Sequence, residues 1–165
     1  MRIPFSEGRR TLNTRTKPGS VTAVLVLLIL IAVYQVVYGL FALLGAATVA
    51  NDGLMEQMPP EVAEQMEAAQ EMIWAAYLGA GLALLYGVVT IVLAVMVAKG
   101  GPRARGAAIG VNAVAGVALL VLMFTAVYGF GALISAFFAF TVVALLYNST
   151  AKRYFAGVPT DSVSG

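Results

Sequence analysis

Between residues 51 and 72 the chain reads NDGLMEQMPPEVAEQMEAAQEM, which puts six carboxylates and four methionines together with no base among them. Two kinds of metal chemistry could use such a set. Thioethers beside carboxylates, as in MEQM and EQM, could meet a soft ion such as Cu(I), and the carboxylates alone could meet a hard cation. Neither fits well. Carboxylates are poor partners for a soft ion, and the chain holds no His or Cys to complete a site. The expectation is a solvated or partner-facing surface in which Glu61, Glu64, Glu67 and Glu71 lie on one side of a 3.6-residue helix. Val62, Met66, Ala69 and Ile73 lie on the other. No cofactor is expected.

The second set of chemistry-bearing residues is uncharged. Tyr34, Gln35, Tyr38 and Tyr86 fall near the middle of long apolar runs, and Thr90, Asn112 and Thr141 fall nearer one end of theirs. Two readings are open. They could hydrogen-bond between helices, at about 0.6 kcal/mol each on average, or line a cleft for a lipid, a quinone or another apolar ligand. No Ser-His-Asp set, HExxH, P-loop or paired carboxylate occurs, and without His the commonest general base is missing. A non-catalytic role is therefore expected. The absence of Cys excludes thiol redox chemistry and disulfides.

These residues must be positioned by membrane helices. Hydrophobic residues make up 61% of the 165 and charged ones only 11%, a balance that belongs to membrane proteins. Four runs are long and uncharged enough to cross a hydrocarbon core of about 30 Å: Val21 to Ala47, Met72 to Ala98, Gly106 to Ala126 and Phe130 to Asn148. No ionisable Asp, Glu, Lys, Arg or His lies within any of them. That disfavours proton relays, voltage sensing and ion-coupled transport, which usually depend on intramembrane ionisable groups. The fold class expected is all-α: a four-helix transmembrane bundle whose second helix extends into an acidic extracytoplasmic stalk.

The bases set the orientation. Arg2, Arg9, Arg10, Arg15 and Lys17 precede the first run, Lys99, Arg103 and Arg105 separate the second from the third, and Lys152 and Arg153 follow the fourth. A four-span topology puts all of them on one side, which the positive-inside rule makes cytoplasmic. Residues 1–20 are then a basic cytoplasmic tail, 21–148 the membrane domain and 149–165 a second cytoplasmic tail. Within the membrane domain, 48–72 is the acidic extracytoplasmic segment and 99–105 the cytoplasmic loop. Arg9-Arg10 before a long apolar run could suggest a cleaved twin-arginine signal. However, Val21 to Ala47 is far longer than the roughly 7–15 residues of a signal core. Juxtamembrane bases suit anionic headgroups better than nucleic acid.

Asn51-Asp52-Gly53 should end the first helix and Pro59-Pro60 should open a new one, continuous with the second span. Trp74 and Tyr77 then fall at an interfacial aromatic belt. Small and weakly polar residues mark packing faces. These are Tyr34, Gln35, Tyr38, Ala42, Gly45 and Ala46 on the first span, and Gly79, Ala83, Tyr86, Gly87, Thr90 and Ala94 on the second. Gly106-xxx-Gly110 and Gly131-xxx-Ser135-xxx-Ala139 follow on the third and fourth. The triplets VYG, LYG and VYG at Tyr38, Tyr86 and Tyr128 do not share a depth, so they do not mark an internal repeat.

The Ala/Val/Gly-rich runs, the basic tail before VTAVLVLLILIAVYQVVYGLFALL and the ending LLYNSTAKRYFAG resemble the small, mostly uncharacterised four-span membrane proteins of actinobacteria. The resemblance implies a bacterial plasma membrane and carries over no activity. The expected role is a structural or accessory component of a membrane assembly, with the lipid bilayer and another membrane protein, or a second copy, as partners. The alternatives are an oligomeric passage or carrier for a small uncharged solute and a binder or sensor of an apolar ligand.

Overall fold

The computed structural model describes residues 17–51, 53, 59–129 and 131–157, without the side chains of residues 63, 64, 66 and 68. The basic tail before Lys17, Asp52, Glu56, Met55 and Met58, and the side chains of Glu64 and Met66 therefore lie outside the described residues.

The described residues form six helices: α1 (Gly19–Val49), α2 (Pro60–Gln70), α3 (Ile73–Lys99), α4 (Pro102–Leu122), α5 (Gly131–Tyr147) and α6 (Ser149–Ala156). Local chemistry explains the ends. Pro60 and Pro102 occupy the first helical positions, where a missing N–H costs nothing. Gly100 and Gly101, with φ of 78° and 104°, turn the chain between α3 and α4 in a conformation that side chains disfavour.

Helices α1, α3 and α4 are each long and apolar enough to cross a membrane. Helix α5 has 17 residues and reaches that length only together with α6, from which it is bent by 69°. The bend has a chemical cause. Asn148 leaves helical geometry, and its Oδ1 accepts a hydrogen bond from the Thr150 backbone N–H at 3.1 Å, capping α6. Gly157, left-handed at φ 77°, closes α6.

Packing joins α1 along α3, α4 along α5, and α1 to α5, whereas α3 and α4 touch little despite their short connection. The closest approaches use glycines. A side chain at Gly39 would press on Leu84, one at Gly87 on Val36 and one at Gly116 on the Phe140 ring. At Gly79 it would run into the Val127 carbonyl oxygen.

The distribution of side-chain size is the reverse of a water-soluble protein's. Ala75, Ala80, Ala83, Ala132, Ala136 and Ala139 are buried, while Phe41, Val114, Phe124 and Phe137 are 67–83% exposed. In water so much exposed apolar surface would drive aggregation. In lipid, where tails are as apolar as leucine, helices associate by close contact of small residues and the large ones face outward.

One expectation is corrected. The acidic helix is not continuous with the second span, because the chain turns at Glu71–Met72, where Met72 has φ −104° and ψ 9°. Gln70 Nε2 instead donates to the Val49 carbonyl at 3.2 Å, tying the end of α2 to the end of α1. After the fourth run, α6 buries Ala151 and Phe155 in a cluster with Val21, Val24, Val97 and Ala104.

Candidate functional site

The polar residues between the helices form two separate networks. In the first, Gln35 of α1 is fully buried. Its Nε2 donates to Ser135 Oγ of α5 at 2.9 Å, and its Oε1 accepts from the Tyr128 hydroxyl at 2.9 Å. Tyr34 adds a longer bond from its hydroxyl to the Gly131 carbonyl at 3.4 Å. Tyr38 stacks on Tyr128 at 5.3 Å between ring centroids and on Tyr34 at 6.3 Å. The first network thus ties α1 to α5 and to the turn before it.

Tyr86 belongs to the second. Its hydroxyl donates to Asn112 Oδ1 at 3.0 Å, bridging α3 and α4 where they otherwise touch little. Asn112 Nδ2 donates to the Ala108 carbonyl of its own helix at 2.8 Å. Buried Thr90 turns its hydroxyl back to the Tyr86 carbonyl, and Thr141 does the same to Phe137 at 2.8 Å. These are the one-turn back-bonds by which Ser, Thr and Asn satisfy themselves in an apolar medium. Tyr34, Gln35 and Tyr38 thus belong to one network and Tyr86 to the other, although Tyr38 and Tyr86 both pack against the buried cluster that holds Tyr128.

Both ends of the Gln35 amide are used, and so are both ends of the Asn112 amide. Among the described residues the only buried side-chain polar atom without a partner is Ser20 Oγ, near the start of α1. An amide held between two hydroxyls contains neither a nucleophile with its base nor an electrophile. What it can do is fix the register of the helices that carry it.

Sequence reasoning missed two members. Ser135 reads as a packing residue on a small-xxx-small face, and Tyr128 as part of an outer turn. Each meets Gln35 across 93 or more positions of chain. The available signal was that a mid-span Gln needs both a donor and an acceptor.

Among the described residues the acidic side chains do not converge. Glu61, Glu67 and Glu71 are exposed, and among the described residues no three acidic side chains are placed to hold a metal ion. Val62, on the side expected to be apolar, is 42% exposed.

Two grooves open on the flanks of the helices. Where α3 and α4 diverge, a groove of about 570 Å³ is lined by Leu82, Leu85, Tyr86, Val89, Gly110, Val114 and neighbouring apolar residues. A second, of about 590 Å³, lies along α1 and α3 among residues such as Ile29, Val33, Val36 and Ile91. Neither supplies a chain of polar groups. Among the described residues, Gly106 and Gly110 of α4 would meet nothing within 4 Å if given a side chain, so this pair is not a contact between the described helices.

No family model, curated protein or solved structure matches the chain.

Proposed function

We propose that this chain is a non-catalytic structural or accessory component of a membrane assembly. It is a four-helix transmembrane bundle of the bacterial plasma membrane, with both termini cytoplasmic and α2 on the opposite face. The observation that carries the role is the internal use of polarity. Gln35, Asn112, Thr90 and Ser135 are fully buried or nearly so, and their bonds go to one another, to a neighbouring Tyr or to their own helix. A passage for a polar solute would instead keep such groups along a continuous water-filled path.

Orientation is supported by the gathering of basic helix ends. Val21, Val97, Ala104 and Phe155 share one cluster, so the ends bearing Lys17, Lys99, Arg103 and Arg153 lie together. Glu61, Glu67 and Glu71 sit by the opposite ends of α1 and α3. The uncovered Gly106, Gly110 and Val114 on α4 suit a helix of another membrane protein or of a second copy.

A test combines two measurements. Chain purified from its native membrane in mild detergent should retain a stoichiometric membrane-protein partner, lost in Gly110→Leu at unchanged melting temperature. Proteoliposomes should pass glycerol and urea no faster than empty ones. Rapid flux without a partner would favour the solute passage. The groove between α3 and α4 supports the remaining reading, an apolar ligand site, which an added hydrophobic ligand raising the melting temperature would favour.

A further inference from the structure

At the end of the molecule where the bases collect, the α3–α4 turn and α6 enclose a cavity of about 450 Å³. Lys99, Gly100, Gly101 and Pro102 line it from one side, and Tyr154, Phe155, Ala156 and Gly157 from the other. Its lining mixes a cation and a phenol with apolar surface. The glycines hold positive φ to make the turns, and a side chain at Gly101 would meet nothing within 4 Å, so the turn leaves the space open.

Charge and depth narrow what this cavity suits. Arg103, Lys152 and Arg153 are exposed around the same end, and no described residue there carries a carboxylate. Arg105 is engaged elsewhere: its Nε donates to the Leu146 carbonyl at 2.9 Å, and its guanidinium lies over the Tyr147 ring. Lys99 directly follows the uncharged run of α3, and α6 begins where α5 ends, at 69° to it. On the proposed topology the cavity lies at headgroup level, where the abundant phosphate is that of a lipid.

The geometry points to a binding site for the phosphate of an anionic phospholipid, with the Lys99 ammonium and the Tyr154 hydroxyl facing the phosphate. Pro102, Phe155 and Ala156 receive the glycerol and the first methylenes. Bound there, the lipid bridges α6 to the α3–α4 turn. The inference rests on the membrane-spanning topology proposed above, not on the structural role.

The test uses the full chain in detergent, with bound lipid counted by native mass spectrometry after addition of phosphatidylglycerol, phosphatidylcholine or inorganic phosphate. Unaltered protein should retain phosphatidylglycerol in preference to phosphatidylcholine, and inorganic phosphate should not displace it. Lys99→Gln should weaken retention about fivefold, the effect of one base near a charged surface. Ala156→Trp, which fills the cavity at constant charge, should weaken it as well. Lys17→Gln, which removes the same charge at the same end of the molecule but outside the cavity lining, should leave retention within twofold. Equal loss in Lys17→Gln would reduce the effect to diffuse surface attraction and overturn the site. So would equal retention of the two lipids by unaltered protein, a result that does not depend on any variant folding. Displacement by inorganic phosphate would assign the cavity to a soluble anion instead. Carbonate extraction of native membranes checks the topology separately, since a chain released by carbonate does not span.

Discussion

Alanine at Gly79 should be the costliest single methyl in this chain. The added Cβ would run into the Val127 carbonyl oxygen and touch the Val127 carbonyl carbon and Cγ1 at 3.4 Å, so the neighbour that must yield is largely backbone. Overpacking costs about 1–3 kcal/mol, with the upper part of that range expected where no flexible side-chain end can move aside. Replacing glycine within a helix returns about 0.8–1.0 kcal/mol. The net expectation is a destabilisation of about 1–2 kcal/mol. Gly116→Ala meets the Phe140 ring at 2.9–3.1 Å, and the ring can shift, so its cost should be smaller. Gly110→Ala meets nothing and should be neutral or slightly stabilising in the isolated chain. Unfolding in mixed micelles of increasing SDS content, followed by circular dichroism, measures all three. A neutral Gly79→Ala, or a Gly110→Ala as damaging as Gly79→Ala, would refute the packing described.

Other outcomes follow from the same contacts. Phe155→Ala should cost about 3 kcal/mol through loss of its buried ring, and Asn148→Ala about 1 kcal/mol through loss of the cap. Both should raise hydrogen exchange in α6 before the other helices. Because the chain has no native Cys, single cysteines report topology: those at Pro102 and Lys152 should resist an impermeant thiol reagent in intact cells, and one at Glu61 should react. Labelling at Pro102 from outside would reverse the orientation. Replacing Glu61, Glu64, Glu67 and Glu71 together by Gln should leave insertion unchanged, because acidic residues contribute little to orientation. Loss of the chain from the membrane fraction would contradict that.

The long helices were legible because an uncharged run has few alternatives to a helix in lipid. Their ends were legible wherever Pro or Gly marked them, as at Gly100, Gly101 and Pro102. The break at Glu71–Met72 carries no such marker, and the helical pattern runs through it. Which face of each helix points inward was less legible. In water, polarity separates the inner from the outer face, but here both are apolar. Small-residue spacing therefore marked Gly106 and Gly110, where an added side chain would meet no described residue, as readily as Gly79 and Gly87, where it would. Pairing was the least legible. Nothing local in Gln35 says whether its amide meets Tyr86, Thr90 or Asn112, and its partners are Ser135 and Tyr128, brought close only by the packing of α5. Helix α6 was readable in principle from the Asn148 cap, the closing Gly157 and the apolar spacing of Ala151 and Phe155.

A double-mutant cycle on Gln35→Leu and Tyr128→Phe tests most directly whether the buried polar groups serve to hold the helices together. The two side chains share a bond of 2.9 Å in a site closed to solvent. Interhelical bonds of this kind contribute about 0.6 kcal/mol on average and up to about 1.7. Unfolding in SDS titrations should therefore give a favourable coupling of about 0.5–1.7 kcal/mol. Each single variant should be destabilised, and the double variant less than the sum. A coupling of zero, with Gln35→Leu as stable as the unaltered chain, would contradict the account and leave Gln35 free to serve a ligand or a solute.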